Sequence, residues 1–382
     1  MIVAALAAAA TPMYGIATLF CWLSAALHLY RFHSGGRNLA SASLLAAFTF
    51  KAIAFSLAIP DVYALVDRLL QTPNVSRLLL CVCSGPAWTG AILVALSYWD
   101  PAPRIPRVWV GALATGTVAT QALLWSRCTQ DELDMAFPVT TAHFPMATAF
   151  LTVFDVALAF GTYQVARRCR TVADLPVQPW LRTGMRVTVA GACLYLIFCV
   201  LRLVSIILAH TRIDSTALQA LTAPITTVAV SVMAVGLTLP AAHVTATALG
   251  TWIRHHRRYR VMYPLWADLR SADEVIVLMP RAAGFGSLSF RVYRRAVEIH
   301  DGILRFAPRA LQRADASEVT DVRSTAATIF AELHARSETP AGRLTDTPPR
   351  AAASAGPHPD TDLEWLAAVA REYRKLRQSS NM

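Results

Sequence analysis

The sequence predicts an all-α, polytopic membrane protein: seven transmembrane helices with the N-terminus out and the C-terminus in, followed by a helical cytoplasmic domain. Three observations carry this. The 382 residues are 55% hydrophobic and only 15% charged, with a mean hydropathy of +0.43, unlike a soluble chain. Charge is unevenly spread: residues 1–250 carry 15 Lys+Arg and 9 Asp+Glu, whereas the shorter stretch 251–382 carries 20 and 15. Within the charge-poor part, apolar segments recur at the roughly 20-residue length that crosses a ~30 Å hydrocarbon layer as helix. They are continuous rather than alternating, which excludes barrel strands, and the asymmetry excludes a single globular enzyme domain.

In order, the spans are expected at about 10–30, 39–59, 78–98, 108–126, 144–165, 187–209 and 219–240. The Ala-rich opening has no basic residue before its apolar run, so it is read as a short exposed N-terminus leading into the first span. The third span contains Ser84-Gly85-Pro86 and the seventh begins near Pro224; each proline removes a backbone donor and can kink its helix. Trp99, Trp109, Trp125, Trp180 and Trp252 fall near span ends, where interfacial anchors belong.

Orientation follows from the basic residues of the short loops. Loops 1-2, 3-4 and 5-6 hold Arg31, Arg37, Arg104, Arg107, Arg167, Arg168, Arg170, Arg182 and Arg186. The alternate loops hold Arg68, Arg77, Arg127 and Arg212, and the 4-5 loop adds Asp131, Glu132 and Asp134. Because cytoplasmic loops carry the Lys/Arg excess, the N-terminus is expected outside and everything after the seventh span in the cytoplasm. Arg254, Arg257, Arg258 and Arg260 agree, as a basic cluster at an anionic membrane surface. That surface accounts for the net charge of +11, so no nucleic acid is implied.

Three ionisable residues interrupt the spans: Lys51, Asp155 and Arg202. Such a residue costs roughly 2.5–3.5 kcal/mol near a helix centre, so each is expected to face the bundle interior and find a partner. Lys51 is notable because the chain has only one other lysine, Lys375, against 33 arginines. At ~1.5 Å rise per residue the three lie about 10 to 16 Å from the predicted outer ends of their helices. Asp155 is expected to be the counter-ion of Arg202, Lys51 or both. Thr148, Thr152, Asp155 and Thr162 share one side of the fifth span, and Thr188, Tyr195 and Arg202 recur at sevenfold spacing on the sixth; Thr227, Ser231 and Thr238 come from the seventh. Lys51, Asp155, Arg202, Thr152 and Tyr195 therefore form the candidate site. Either it is a polar cavity for an ion, proton or small anionic solute, or the groups only fix the packing of the bundle.

Several chemistries are disfavoured. Retinal chemistry needs a seventh-helix lysine that is not there, and no Gly-x4-Gly-Lys-Ser/Thr loop is present. Of seven cysteines, Cys21, Cys81, Cys83, Cys193 and Cys199 fall inside spans, and Cys81-x-Cys83 is read as packing rather than a metal site. No cofactor, metal or catalytic role is expected.

The membrane domain is placed at 1–253, a helical cytoplasmic domain at 254–337, a Pro/Ala/Gly/Thr-rich flexible linker at 338–360 and an amphipathic helix at 361–382. Helices are expected over 255–271, with a break or restart at Pro264, and over 289–306, 318–336 and 361–378. The second would bury Tyr293, Ala296, Val297, His300, Ile303 and Leu304, with Arg294–Glu298 and Asp301–Arg305 pairing on the other face. The last aligns Leu363, Leu366, Ala367, Ala370 and Tyr373. Ala283-Gly284-Phe285-Gly286-Ser287 is a turn rather than a nucleotide loop. Arg258, Tyr259, Arg260, Trp266, Arg291, Arg294, Arg295, Glu298 and Asp301 make the candidate cytoplasmic surface.

Arg258-Tyr259-Arg260, Tyr263-Pro264-Leu265-Trp266 and Arg291-x-Tyr293-Arg294-Arg295-x-x-Glu298-Ile299-x-Asp301-Gly302 resemble the C-terminal domain of unknown function in a family of actinobacterial multi-pass membrane proteins. Members carry a transporter label, so the resemblance implies solute transport at the cell membrane without implying a substrate or site. The alternative is a receptor or scaffold whose cytoplasmic tail recruits a protein partner. The expected partners are thus the lipid bilayer, a small solute or ion, and a cytoplasmic protein.

Overall fold

The computed structural model describes residues 2–34, 38–99, 107–128, 145–210, 216–272, 287–306, 322–337 and 359–380. All regular structure among them is helical. Internal contacts divide the chain into one compact unit, Met1–Thr245, and a second, Ala246–Met382.

The first unit is built from α1 (Ile2–His33), α2 (Leu39–Leu57), α3 (Pro60–Leu70), α4 (Val75–Val82), α5 (Trp88–Leu96), α6 (Arg107–Ser126), α7 (Pro145–Asp174), α8 (Pro179–His210) and the start of α9 (Thr216–Val261). Among the described residues seven segments are long and apolar enough to cross a membrane: Thr11–His33, Leu39–Leu57, Val75–Leu96, Arg107–Ser126, Pro145–Asp174, Pro179–Leu208 and Ala220–Val261. The chain is a multi-pass helical membrane protein, as the composition predicts. Arg37, Arg104, Arg212, Asp131, Glu132 and Asp134 lie outside the described residues.

The structure adds three features. The first is α3, in a stretch read as a plain loop. Pro60 sets the first turn, Asp61 favours the helix N-terminus, and the helix stops at Gln71, in the left-handed region at φ 50°. The chain then turns through Asn74, also left-handed at φ 59°. Buried Asp67 ties this turn: its Oδ2 accepts from the Asn74 N–H at 2.7 Å and its Oδ1 from the Ser76 N–H at 2.8 Å. The Ser76 hydroxyl donates to the Tyr63 carbonyl (3.1 Å) and the Tyr63 hydroxyl to Asn74 Oδ1 (2.9 Å). A carboxylate one helix away thus caps α4, whose own N-cap side chain makes no such bond. Asp67→Ala would strand two buried donors, and we expect a loss of about 2–3 kcal/mol, read as a lower unfolding midpoint in detergent. A midpoint equal to wild type would show that the carboxylate does not hold the turn.

The second feature is a π-helical turn, Cys83–Ala87, between α4 and α5, centred on Gly85-Pro86. Proline cannot donate to the preceding turn, and the ladder widens around it. Thirdly, α9 continues without a break through Pro224 and Pro240 to Val261, where the sequence suggested two helices. Nothing between 241 and 254 is a strong enough breaker to stop it; Pro224 and Pro240 interrupt the backbone ladder but not the helix. The seam between α8 and α9 is glycine-lined: a Cβ on Gly184 would lie 2.6 Å from the Gly236 carbonyl oxygen, and one on Gly191 would lie 2.8 Å from the Met233 nitrogen.

The second unit contains α10 (Tyr263–Ala272), α11 (Leu288–Phe306), α12 (Val322–Ser337) and α13 (Pro359–Ser380). The restart expected at Pro264 falls between α9 and α10, where Met262 interrupts the helix. Leu265, Leu269, Val292, Ile299, Ile329 and Tyr373 are among its core residues. The buried face of α11 differs from the expected one. Val292, Ala296, Ile299 and Ile303 are buried, while Tyr293, His300 and Leu304 are exposed. The aromatic and imidazole rings suggested the face, but the i, i+4, i+7, i+11 row of aliphatic residues sets it. Gly302 lets Leu269 approach, since a Cβ there would meet its side chain at 3.2 Å. On α13 the buried set includes Leu363, Leu366, Ala367, Ala370 and Tyr373, as aligned from the sequence. The linker positions 338–358 and Ala283–Gly286 lie outside the described residues.

Candidate functional site: a cationic cavity in the bundle

The widened turn in the third span positions the first functional group. The Trp88 N–H bonds to the Gly85 carbonyl, and the Ser84 carbonyl accepts instead from Lys51 Nζ at 3.3 Å. Irregular backbone of this kind is tolerated at membrane depth where it serves a buried polar group. Lys51 Nζ also donates to the Tyr195 hydroxyl at 2.6 Å, and that hydroxyl shares a hydrogen bond with Thr226. The ammonium lies over three rings: Trp88 at 4.2 Å, Tyr195 at 4.7 Å and Phe55 at 5.4 Å from their centroids. Only 1% of Lys51 is exposed, so the aromatic faces and the two oxygens take the place of water around it. Among the described residues no carboxylate pairs with it within ion-pair distance.

Asp155 pairs instead with Arg202, Nε donating to Oδ2 at 3.1 Å. Of the two counter-ion assignments, the Arg202 one is present and the Lys51 one is not. The guanidinium lies near the rings of Phe154 and Phe198, with centroids 5.3 and 5.9 Å away. Asp155 is fully buried, and its Oδ1 has no hydrogen-bond partner; the same holds for Arg202 Nη2, Arg77 Nε and the Ser205 hydroxyl.

These groups surround a cavity of about 300 Å³. Lys51, Tyr195 and Arg202 line it, as do Tyr14, Arg77 and Ser205. Its walls come from the start of the first span, the end of the second, the start of the third, the fifth through Phe154, the end of the sixth and the start of the seventh, with Tyr63 of α3. It therefore lies toward one end of the bundle, the end that also carries α3. Asp155 does not line it and stands behind Arg202. Thr152 is half-buried away from the lining, and the seventh helix contributes Thr222 and Thr226 rather than Thr227, Ser231 and Thr238. Thr188 lies in the α8–α9 seam, its hydroxyl donating to the Gly184 carbonyl at 2.9 Å.

Arg77 is the residue that sequence reasoning missed. It falls among the loop charges because the span is expected from 78, whereas the helix begins three residues earlier, at Val75. Arg77, Cys81, Ser84 and Trp88 in fact form one helix row at +4, +7 and +11. Arg77 interacts electrostatically with Asp155, Arg202, Tyr14 and Tyr63. Among the described residues the cavity region thus holds three cations and one carboxylate. Arg168, counted as an inner-loop charge, is also buried, its Nη1 donating to the Leu93 carbonyl at 3.2 Å.

In the second unit, the residues assigned to a cytoplasmic surface divide. Arg295 and Glu298 are buried, not surface residues. Arg295 stacks 3.4 Å from the Tyr259 ring centroid and 4.8 Å from that of Trp266, and its Nη1 donates to the Tyr259 carbonyl at 2.6 Å. Glu298 accepts from Trp266 Nε1 at 2.7 Å and from Arg294 Nε at 2.8 Å, the expected i,i+4 pair. Burial lowers the Arg295 pKa, an effect partly offset by Tyr259 and Glu298. Tyr373 donates to Asp268 at 2.9 Å, and burial followed by that bond raises its pKa. Arg258 pairs with Glu364 at 2.8 Å, whereas Arg260, Arg291 and Asp301 are exposed. The Arg/Tyr/Trp/Glu pattern is therefore largely a clasp between α9, α10 and α11.

Among the described residues no group of three His, Cys, Asp or Glu is placed to hold a metal, and all seven cysteines are free. No curated protein and no solved structure matches the chain. The clasp falls within residues 251–375, which match the family model described as "Family of unknown function (DUF6545)".

Proposed function

We propose that the bundle binds a small anionic solute in this cavity and carries it across the cell membrane, with the unit from Ala246 on the cytoplasmic side. The observation that supports this is the charge arrangement: Lys51, Arg77 and Arg202 line the cavity while the neighbouring carboxylate, Asp155, is withdrawn from the lining. Uncompensated cations in a low-dielectric interior are costly, and an entering anion relieves that cost. The distribution of loop arginines supports a mouth on the outer face. The role proposed is binding and passage, not catalysis.

A receptor is the second reading, favoured by the packing away from the mouth. Ile92, Leu96, Leu158 and Val165 are fully buried in the core of the bundle, and the described cavity lies toward one end only. Uptake of a labelled anion into proteoliposomes separates the two. Saturable uptake that falls at least about tenfold in Lys51→Met is the expected result, a drop equivalent to ~1.4 kcal/mol. Binding of the anion without any flux would select the receptor. Absence of both would remove the anion site.

A further inference from the structure

The cations of the cavity occupy two levels. Arg77 and Ser84 are seven residues apart in the third span, and Tyr195 and Arg202 are seven apart on α8. At 1.5 Å per residue each pair is separated by about 10 Å along its helix. Arg77 and Arg202 interact with one another and with Asp155 at the mouth level. Ser84 and Tyr195 both hold Lys51 at the deeper level. Between them the lining is apolar, with Phe55, Leu80, Phe154 and Phe198.

Charge balance sets the ligand's valence. Among the described residues, three cations against Asp155 leave a surplus of two positive charges, and no carboxylate is among those that line the cavity. A monoanion would neutralise half of that. The donors match the count of levels: Arg202 Nη2, Arg77 Nε and the Ser205 hydroxyl are without partners. At the deeper level, Lys51 has three ammonium protons and two hydrogen bonds, to Tyr195 and Ser84. The volume, about 300 Å³, is at the small end of ligand pockets.

Building on the anion reading above, we propose that the ligand is an elongated dianion, an α,ω-dicarboxylate with an apolar spacer. One carboxylate sits at Arg77 and Arg202, the other at Lys51, and the methylenes lie against the phenyl rings. A compact dianion such as sulfate would reach only one level.

The test uses the purified full chain in detergent and titrates dicarboxylates of about three to about ten carbons, the monocarboxylates of equal length, and sulfate, by calorimetry. The expected result is an optimum at an intermediate length, with the best dicarboxylate at least about tenfold tighter than its monocarboxylate and than sulfate. In Lys51→Gln that advantage collapses to about twofold or less. The wild-type length profile decides the matter even if the variant does not fold. Monocarboxylates bound as tightly as dicarboxylates, sulfate bound tightest, or a flat length profile would each overturn the dianion while leaving the anion site standing. No binding by any anion would overturn both.

Discussion

Gly236→Leu is expected to abolish the folded bundle. A Cβ at position 236 would lie 2.6 Å from the Thr188 backbone nitrogen and 2.7 Å from the Gly184 carbonyl oxygen. These are main-chain atoms of α8, and no rotamer change moves them. The contact is reciprocal and extended, since Gly184 meets Gly236 and Pro240 while Gly191 meets Met233 and Ala229. A leucine here must push the sixth and seventh spans apart along several turns. In a membrane the association of helices rests on van der Waals packing at small residues, so separation removes the interaction rather than weakening it. We expect a loss of more than about 4 kcal/mol, the range reached only by severe overpacking of a core. The readout is a monodisperse peak on size exclusion in detergent, present in wild type and lost in the variant. Gly116→Leu on α6 is the matched control, because a Cβ there meets nothing within 4 Å. If Gly236→Leu runs as wild type does, the seam described for α8 and α9 is wrong.

The same seam explains which part of the architecture the sequence made legible. Apolar length and the low charge of residues 1–250 were enough for seven spans, because crossing a bilayer is a one-dimensional constraint that composition satisfies. That Asp155 pairs with Arg202, Lys51 or both could be said in advance, since opposite charges in hydrocarbon have few other solutions, but only the structure selects Arg202. Helical periodicity alone could not tell Thr188 from Tyr195. Both lie on the sevenfold row of α8, yet one fills a glycine seam and the other faces the cavity. Nor could it tell that Lys51 is satisfied by rings and a released carbonyl, which depends on the π-helical turn at Cys83–Ala87. Arg77 was hidden by a boundary three residues late, at 78 instead of Val75, and Arg295 and Glu298 looked like surface because charged residues usually are. In each case the missing information was which neighbour a helix face meets.

Breaking the Asp155–Arg202 pair one residue at a time and then together separates stability from binding. Arg202→Met leaves a fully buried carboxylate without its ion-pair partner. We expect that single change to cost roughly 3–5 kcal/mol, because the isolated charge keeps its desolvation penalty and loses its compensation. Asp155→Leu strands the guanidinium in the same way, with a smaller loss, as the Arg202 side chain is 17% exposed and lines the cavity. The double variant Asp155→Leu/Arg202→Met replaces a buried ion pair by apolar groups of similar volume, and such replacements are often neutral, within about 1 kcal/mol. Its unfolding midpoint should therefore return close to wild type, whereas anion binding should stay at least about tenfold weaker, because the mouth has lost a cation that no packing gain restores. A double variant as unstable as the singles would mean that the pair is held by more than its own charge balance. One that is stable and still binds the anion at wild-type strength would leave Arg202 with a structural role alone, and the cavity's recognition would then rest on Arg77 and Lys51.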